Sequence, residues 1–349
     1  MKIGFTYDLK DDYLAMGMSE EDTAEFDKID TITGIESAIV SLGYECEKIG
    51  NIQSLVRRLA LGEKWDIVFN ISEGQHGIGR EAQVPAILEA YNIPYVFSDP
   101  LVLSLTLHKG MTKHVIKSHA IPTPEFFVVE TPEDIDKVVL EYPLFIKPVA
   151  EGTGKGISAR SLATNPEELK ESCIELLTRF NQSVLVERYL PGKEYTVGIV
   201  GKGENARVVG MMEISVKPDE DGSVYGFLNK QNYEEIVMYS PVKSDKREMC
   251  KAVALSAWKA LGCSDGGRVD LKEDYFGIPN FMEVNPLAGL NPVHSDLPIL
   301  ARMNGINFEE LISLILSEAF KRTGLQSESS RIERNFGYEY TDINKLRFP

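Results

Sequence analysis

GRVDLKEDYFGIPNFMEVNP, residues 267–286, decides the architecture, because it writes two strands in alternation around a turn. Successive side chains of a strand point to opposite faces, so Arg268 pairs in direction with Asp270, and Glu283 with Asn285, while Val269 and Val284 point the other way. Two carboxylates, an amide oxygen and a guanidinium are thereby expected to converge. Hard oxygen donors beside a fixed cation suit Mg²⁺ carrying a polyphosphate, since that ion keeps octahedral oxygen ligation and usually takes one or two carboxylates plus substrate phosphates. A hairpin with a merely solvated polar face is the competing reading, and the neighbouring sequence has to choose between them.

Upstream, PLFIKPV (143–149) carries Lys147 inside an otherwise apolar strand. An unpaired ammonium is expensive to bury there, and a phosphate is one anion that would satisfy it. EGTGKG, residues 151–156, follows at once and lies between two expected strands instead of opening a helix, so it is neither a Walker loop nor a dinucleotide fingerprint. Its glycines would let backbone N–H groups close over phosphates, with Thr153 as a further donor; a plain tight turn is the alternative. Lys109, at a helix start after an apolar run, is a weaker candidate, because such lysines are usually just solvated. VLVERYLPGKEYTV (184–197) sets Glu187 after an apolar strand and Glu194 a turn later, a spacing that could accept from an adenine amine and from ribose hydroxyls. Alone it would read as a charged hairpin end.

Periodicity divides the chain into an α/β assembly of three parts and a tail. Residues 1–99 alternate strand and helix: IGFTYD, a helix carrying Ile32, Ile35, Ile39 and Leu42, then WDIVFNI and IPYVFS with a helix through Ile87 and Leu88 between them. That predicts a doubly wound parallel sheet. Residues 100–182 predict a helix from Lys109 to His119, the strand FFVVE, a helix opening at Thr131 and Pro132, the strand PLFIKPV, the glycine-rich loop, the strand ISARSL and a helix from Pro166 capped by Asn165. Residues 183–324 predict strands in VLVERYL, EYTVGIVG and RVVGMMEISV, a polar stretch from Lys217 to Asn232 that reads as a mobile lid, a helix from Lys246 to Leu261, the hairpin, and an amphipathic helix with Phe308, Leu311, Ile312 and Ile315. The tail, 325–349, is rich in Ser, Glu and Arg and hard to place. No internal repeat is visible.

Composition narrows the function. The net charge of −16, with no Lys/Arg-rich run, argues against a nucleic-acid surface or an anionic membrane, so the basic residues must be local and purposeful. Cys46, Cys173, Cys250 and Cys263 are scattered without a C-x-x-C pair, which suggests neither a disulfide framework nor a zinc site and fits a reducing cytoplasm. MKIGFTYD reads as a first strand and not a signal peptide, and no apolar stretch is long enough to span a bilayer. A soluble, cytoplasmic protein is expected.

The order Lys109, FIKPVAEGTGKGIS, VLVERYLPGKE, GRVD and FMEVNPLAGLNPVHS resembles the ATP-grasp superfamily, and within it the D-alanine–D-alanine ligases, from about Val68 to Ala319. The resemblance implies an ATP-grasp fold: an N-terminal doubly wound (pre-ATP-grasp) domain, a small central α+β domain and a C-terminal antiparallel-sheet domain. It also implies an ATP-dependent carboxylate–amine ligase working through an acyl phosphate, with ATP and Mg²⁺ (Mn²⁺ as the substitute ion), small-molecule substrates and a homodimer. Carried over by position, Lys109 and Lys147 would hold ATP phosphates under the loop containing Thr153. Glu187, Tyr189, Leu190 and Met282 would line the adenine pocket, Glu194 would take the ribose, and Lys230 in the lid would reach the phosphates. Asp270, Glu283 and Asn285 match the Mg²⁺ ligands, Arg268 and the Gly289 N–H the oxyanion stabilisers, and Ser295 a residue binding the amine substrate's carboxylate. No histidine or cysteine nucleophile is required, and His294 beside Ser295 has a structural reading at least as good as a binding one.

Departures bear on the substrate. TYDLKDDYLAMGMSEED replaces the family's glycine-rich first loop, and TAEFD (23–27) faintly echoes its acidic helix start, making Glu25 a candidate ammonium partner. NISEGQHGIGRE (70–81) replaces a histidine-glycine-rich segment and puts Glu73, Arg80 and Glu81 near the expected substrate. Gln231 and Asp296 also depart from the pattern. Arg80 pairing a second carboxylate and Asp296 a second amine would imply a substrate larger or more polar than alanine. The rival readings are a genuine D-alanine–D-alanine ligase of cell-wall synthesis and a catalytically silent nucleotide-binding module.

Overall fold

The structure, a computed structural model, describes residues 1–216 and 237–326. The first sheet joins β1 (Lys2–Thr6), β2 (Glu45–Gly50) and β3 (Ile67–Asn70), all parallel, in the order β2-β1-β3. Helices α1 (Lys10–Ala15) and α2 (Ile29–Ser41) follow β1, and α3 (Ile52–Ala60) joins β2 to β3. A parallel sheet must be covered on both faces. On one face α3 and α4 (Gln83–Ala90) enclose Leu55, Trp65, Val68 and Leu88. On the other, Ile3, Phe5, Ile67 and Phe69 pack with Ile32, Ile35 and Ile39 of α2 and with Leu311, Ile315 and Phe320 of α10 (Phe308–Thr323). IPYVFS, expected as a strand, contributes only a bridge between Val68 and Tyr95. Its later backbone groups are taken by side chains: Asp265 accepts from the Phe97 N–H at 2.8 Å, and Arg322 donates to the Tyr95 and Phe97 carbonyls at 2.7 and 3.1 Å.

Helices α5 (Pro100–Leu107) and α6 (Lys109–Ser118) lead into a four-stranded antiparallel sheet of β4 (Phe126–Val129), β5 (Leu144–Pro148), β6 (Leu162–Ala163) and β7 (Val184–Arg188), ordered β4-β7-β5-β6. Helix α7 (Pro166–Phe180) supplies Leu169, Cys173 and Leu176 to its core. Asn165 caps α7 as expected, accepting from the Glu168 N–H. Three expectations need correction. VLVERYL, expected in the third unit, forms β7, which pairs with β4 and β5 and carries the central sheet past the boundary at 182. Of ISARSL only Leu162 enters a strand, the two-residue β6, because Ser158 and Ser161 cap a 3-10 turn over Ala159–Ser161. The helix expected from Thr131 is a 3-10 segment, Pro132–Lys137.

The third sheet is antiparallel and ordered β10-β9-β8-β11-β12, from β8 (Glu194–Val200), β9 (Arg207–Val216), β10 (Val237–Pro241), β11 (Gly266–Glu273) and β12 (Pro279–Asn285). Helix α8 (Ser244–Leu261) covers one face, packing Val253, Ala257 and Trp258 against Val197, Val269, Leu271 and Val284. Helix α9 (Asp296–Met303) packs Leu297 and Leu300 with Val200, Val209 and Met212 on the other. The remainder of that second face is polar, and carries the hairpin's charged residues. Lys230, Gln231 and the whole expected lid, 217–232, lie outside the described residues, as do residues 233–236 and the tail from residue 327. No described helix is long and apolar enough to cross a membrane.

Candidate active site

Alternation in β11 and β12 becomes a cross-strand register, with Arg268 opposite Asn285 and Asp270 opposite Glu283. A bulge after Asp270 leaves Met282 unopposed and half-buried beside Glu283. Arg268 Nη1 donates to Asp270 Oδ2 and lies 3.7 Å from Asp296. Thr196 of β8 donates to Asp270 Oδ1 at 2.8 Å, and Asn285 Nδ2 reaches Oδ2 at 3.3 Å. Burial pushes the Asp270 carboxyl up to about 6; Arg268 pulls it down, while Glu283 and Asp296 push it further up. Burial also opposes the charge on Arg268, but Asp270, Asp296 and Glu283 outweigh it and keep the guanidinium protonated. The cluster holds more negative charge than it neutralises.

Lys109, at the start of α6, connects this face to the glycine-rich loop: its Nζ donates to the Glu151 carbonyl at 2.7 Å and lies 3.5 Å from Glu283. The Glu151 side chain is itself held, by Lys155 at 2.7 Å and by Gln182 Nε2 at 2.7 Å. Thr153 stands exposed at the loop's tip with a left-handed φ of 49°, a strained backbone for a β-branched residue. Behind the loop, Glu187 is fully buried and shared by Lys113 and Lys147, each at 2.9 Å. Contrary to the expectation from sequence, its carboxylate is not open to an adenine amine, because two buried ammonium groups already claim it. Burial favours the neutral forms of all three, yet the opposite charges prevail on Glu187, held below its ordinary value, and on Lys147, held above its own. Leu190 is buried, Tyr189 lies 5.7 Å under Lys272 Nζ, and Glu194 pairs with the same lysine.

The N-terminal wall corrects two further expectations. Glu25 and Arg80, expected to meet substrate ammonium and carboxylate, meet one another at 2.9 Å. Both also bond the loop, Glu25 accepting from the Gly152 N–H at 2.5 Å and Arg80 donating to the Ala150 carbonyl at 3.0 Å. Asp296 likewise is engaged, by Tyr239 at 3.2 Å and by Arg268. Glu73 and Glu81 remain half-buried beside Arg80. Burial, then Glu81, Glu25 and Asp27, push the Glu73 carboxyl well above its ordinary value. Ser295 Oγ accepts from the Asn291 N–H at 2.9 Å, and Gly289 sits directly over that hydroxyl.

Lys113 and Asn291 escape a reading of the sequence. Lys113 carries a usable signal, one helical turn after Lys109 on the buried side of α6, whereas Asn291 carries none beyond its place in LNPVHS. Its Nδ2 bonds Asp30 and Thr31 of α2, each at 3.0 Å, and its Oδ1 accepts from the Val293 and His294 N–H groups, each at 3.0 Å. It ties the Ser295 turn to the N-terminal domain.

Residues 115–317 match the family model described as D-ala D-ala ligase C-terminus. The chain belongs to the D-alanine–D-alanine ligase family. It is 30% identical to the D-alanine–D-alanine ligase of Thermotoga maritima over 295 residues, covering 84% of this chain and 92% of that protein. To the D-alanine–D-alanine ligase of Bordetella pertussis it is 32% identical over 290 residues, covering 82% and 88%. Among solved structures it resembles the D-alanine–D-alanine ligase of Bacillus anthracis complexed with ATP, with TM-score 0.69, 22% identity and coverage of 93% and 99% of the two chains. It also resembles the VanG D-Ala:D-Ser ligase of Enterococcus faecalis, with TM-score 0.69, 20% identity and coverage of 91% and 99%. These likenesses establish the ATP-grasp fold, and family membership makes the chain an ATP-dependent carboxylate–amine ligase of the D-alanine–D-alanine ligase type, a family that uses ATP and a divalent metal. The donor set fits such an ion: paired carboxylates and an amide oxygen, with Asp270 under-compensated for its burial. Among the described residues no three His, Cys, Asp or Glu side chains cluster to hold a metal.

Proposed function

We propose that this ligase joins a small amino acid to an amine in the cleft between the hairpin, the glycine-rich loop and the N-terminal wall. The observation that carries the reading is the register that sets Arg268, Asp270, Glu283 and Asn285 on one face, with Lys109 bridging Glu283 to the loop. Lys109 and Lys147 hold the nucleotide phosphates under Thr153, and the family resemblance assigns Lys230, outside the described residues, to the same phosphates. Tyr189, Leu190 and Met282 face the base, and Glu194 the ribose. Mg²⁺ on Asp270, Glu283 and Asn285, or Mn²⁺ in its place, neutralises phosphate charge when bound. The acid's carboxylate takes the γ-phosphoryl group of ATP and ADP leaves; the amine then attacks the acyl phosphate, forming the amide as phosphate departs and the amine gives up a proton. Arg268 and the Gly289 N–H meet the oxyanion that develops, where fixed donors are worth most. Ser295 receives the amine substrate's carboxylate.

Because Arg80 and Asp296 are already paired, they no longer favour a second carboxylate or a second amine on the substrate. Glu73 and Glu81 instead favour a first substrate bearing an ammonium group. The names of the relatives favour a second reading, with D-alanine as both substrates. Phosphate release from Mg-ATP, measured with D- and L-amino acids and amines singly and in pairs, separates the readings. Release with one particular pair, and a product mass equal to their sum minus water, is expected; binding of ATP with no release from any pair would favour the silent module or a substrate outside the panel. A cytoplasmic homodimer is the expected working form, and light scattering of the purified protein tests its mass.

A further inference from the structure

Glu25 and Arg80 form a strap across the glycine-rich loop. Glu25 Oε1 accepts from the Gly152 N–H at 2.5 Å, Glu25 Oε2 meets Arg80 Nη2 at 2.9 Å, and Arg80 Nη1 donates to the Ala150 carbonyl at 3.0 Å. The two side chains are only 9% and 10% exposed, Arg80 and Glu25 respectively, so neither is an ordinary surface charge. A Cβ at position 152 would lie 2.7 Å from Glu25 Oε1, so a larger residue there would shift the Glu25 carboxylate. A planar guanidinium can bond a carboxylate and a carbonyl at once, in fixed directions from separate nitrogens; an ammonium has its three donors on one nitrogen and lacks that fork.

A carboxylate seated on the N–H of a phosphate-binding loop would repel the triphosphate if left to itself. Arg80 cancels that charge at a distance where the interior screens it poorly. Burial works against the ionised Glu25, but Arg80, Lys155 and the Gly152 N–H outweigh it and hold the carboxyl below its ordinary value. We propose that Arg80 is a positioning residue for nucleotide binding: it neutralises Glu25 and, through it, ties the 150–156 loop to the N-terminal domain in a form that accepts the triphosphate. The proposal rests on the ligase reading above, but its test needs no turnover.

Affinity of the full-length chain for Mg²⁺ with AMP-PNP, an ATP analogue that is not cleaved, is read by titration calorimetry, with thermal midpoints as the control for folding. Arg80→Met is expected to weaken binding on the order of tenfold, the size of one unit charge acting at partly screened range. Arg80→Lys should weaken it clearly less. The double variant Glu25→Gln/Arg80→Met should recover affinity to within about threefold of wild type, because no unpaired charge remains. A role confined to stability would leave the double variant no tighter than Arg80→Met, and that result, or unchanged affinity in Arg80→Met, overturns the proposal. Should Arg80→Met fail to fold, the double variant decides alone, since affinity well below wild type would count against charge cancellation. Wild-type protein that binds no AMP-PNP would overturn the ligase reading and this inference together, so the two failures are distinguishable.

Discussion

At the scale of single residues, charge in this cleft is settled by pairs that burial makes obligatory. Glu187 lies between Lys113 and Lys147 with no solvent to share the work. Glu187→Gln would strand two buried ammonium groups, and breaking such a cluster typically costs about 3–5 kcal/mol. Denaturant unfolding should show that loss; a variant as stable as wild type would mean the lysines find other anions. Arg268 makes a different kind of contribution, because its value lies in the charge that develops during the reaction. Arg268→Ala should leave the affinity for ATP within a few-fold while amide formation falls by roughly 10²–10³, the usual effect of removing one oxyanion donor. Parallel measurements of nucleotide binding and product formation check this, and equal losses in both would assign Arg268 to binding alone. Glu81 supplies a pH test. Burial raises its carboxyl to about 7 from an ordinary 4.5, against the pull of Arg80 and Lys109 and with a push from Glu25. The folded chain thus holds that proton more tightly than the unfolded one, so the stabilisation is fully present below about pH 4.5 and is lost as pH rises through about 7. Across that window wild type should lose more thermal stability than Glu81→Gln; superimposable pH curves would contradict the shift.

Among the elements, the hairpin is the one whose sequence alone declares its geometry. Its alternation is legible because Val269 and Val284 must enter the α8 core, which forces their polar neighbours onto the opposite face. Gly267, at the base of β11, sets how closely the two strands can approach: a Cβ there would lie 2.4 Å from the Asn285 carbonyl and 2.9 Å from Trp258. Gly267→Ala should cost about 1–3 kcal/mol, as overpacking usually does, and should lower ligase activity further by displacing Asn285. Unfolding midpoints and activity on the same variant test both halves. Other elements are less legible for definite reasons. An apolar strand such as β7 carries no mark of which sheet it joins. IPYVFS has strand composition, but Asp265 and Arg322, far away in sequence, take the backbone groups a ladder would need. The strap from Glu25 through Arg80 to Gly152 is hidden for the same reason, since each residue alone suggests a substrate contact and only the fold shows that they satisfy one another.

The whole molecule is held by contacts that run from one end of the described chain to the other. Arg322 of α10 bonds the fully buried Asp265 at 2.6 Å and the Tyr95 and Phe97 carbonyls, joining the C-terminal helix, the start of β11 and the first domain at one point. Arg322→Leu leaves the Asp265 carboxylate unpaired and should cost about 3–5 kcal/mol. Amide exchange should then rise in the first sheet and in α10 together; exchange confined to α10 would show that the domains are independent. The same geometry has a consequence during synthesis. Residues 2–70 leave the ribosome well before α10, but the face of their sheet formed by Ile3, Phe5 and Phe69 is completed by Leu311, Ile315 and Phe320. This domain, translated before α10, therefore waits with an apolar face uncovered for the last helix described, and a nascent chain stalled before residue 308 would be a client for chaperones rather than a finished fold.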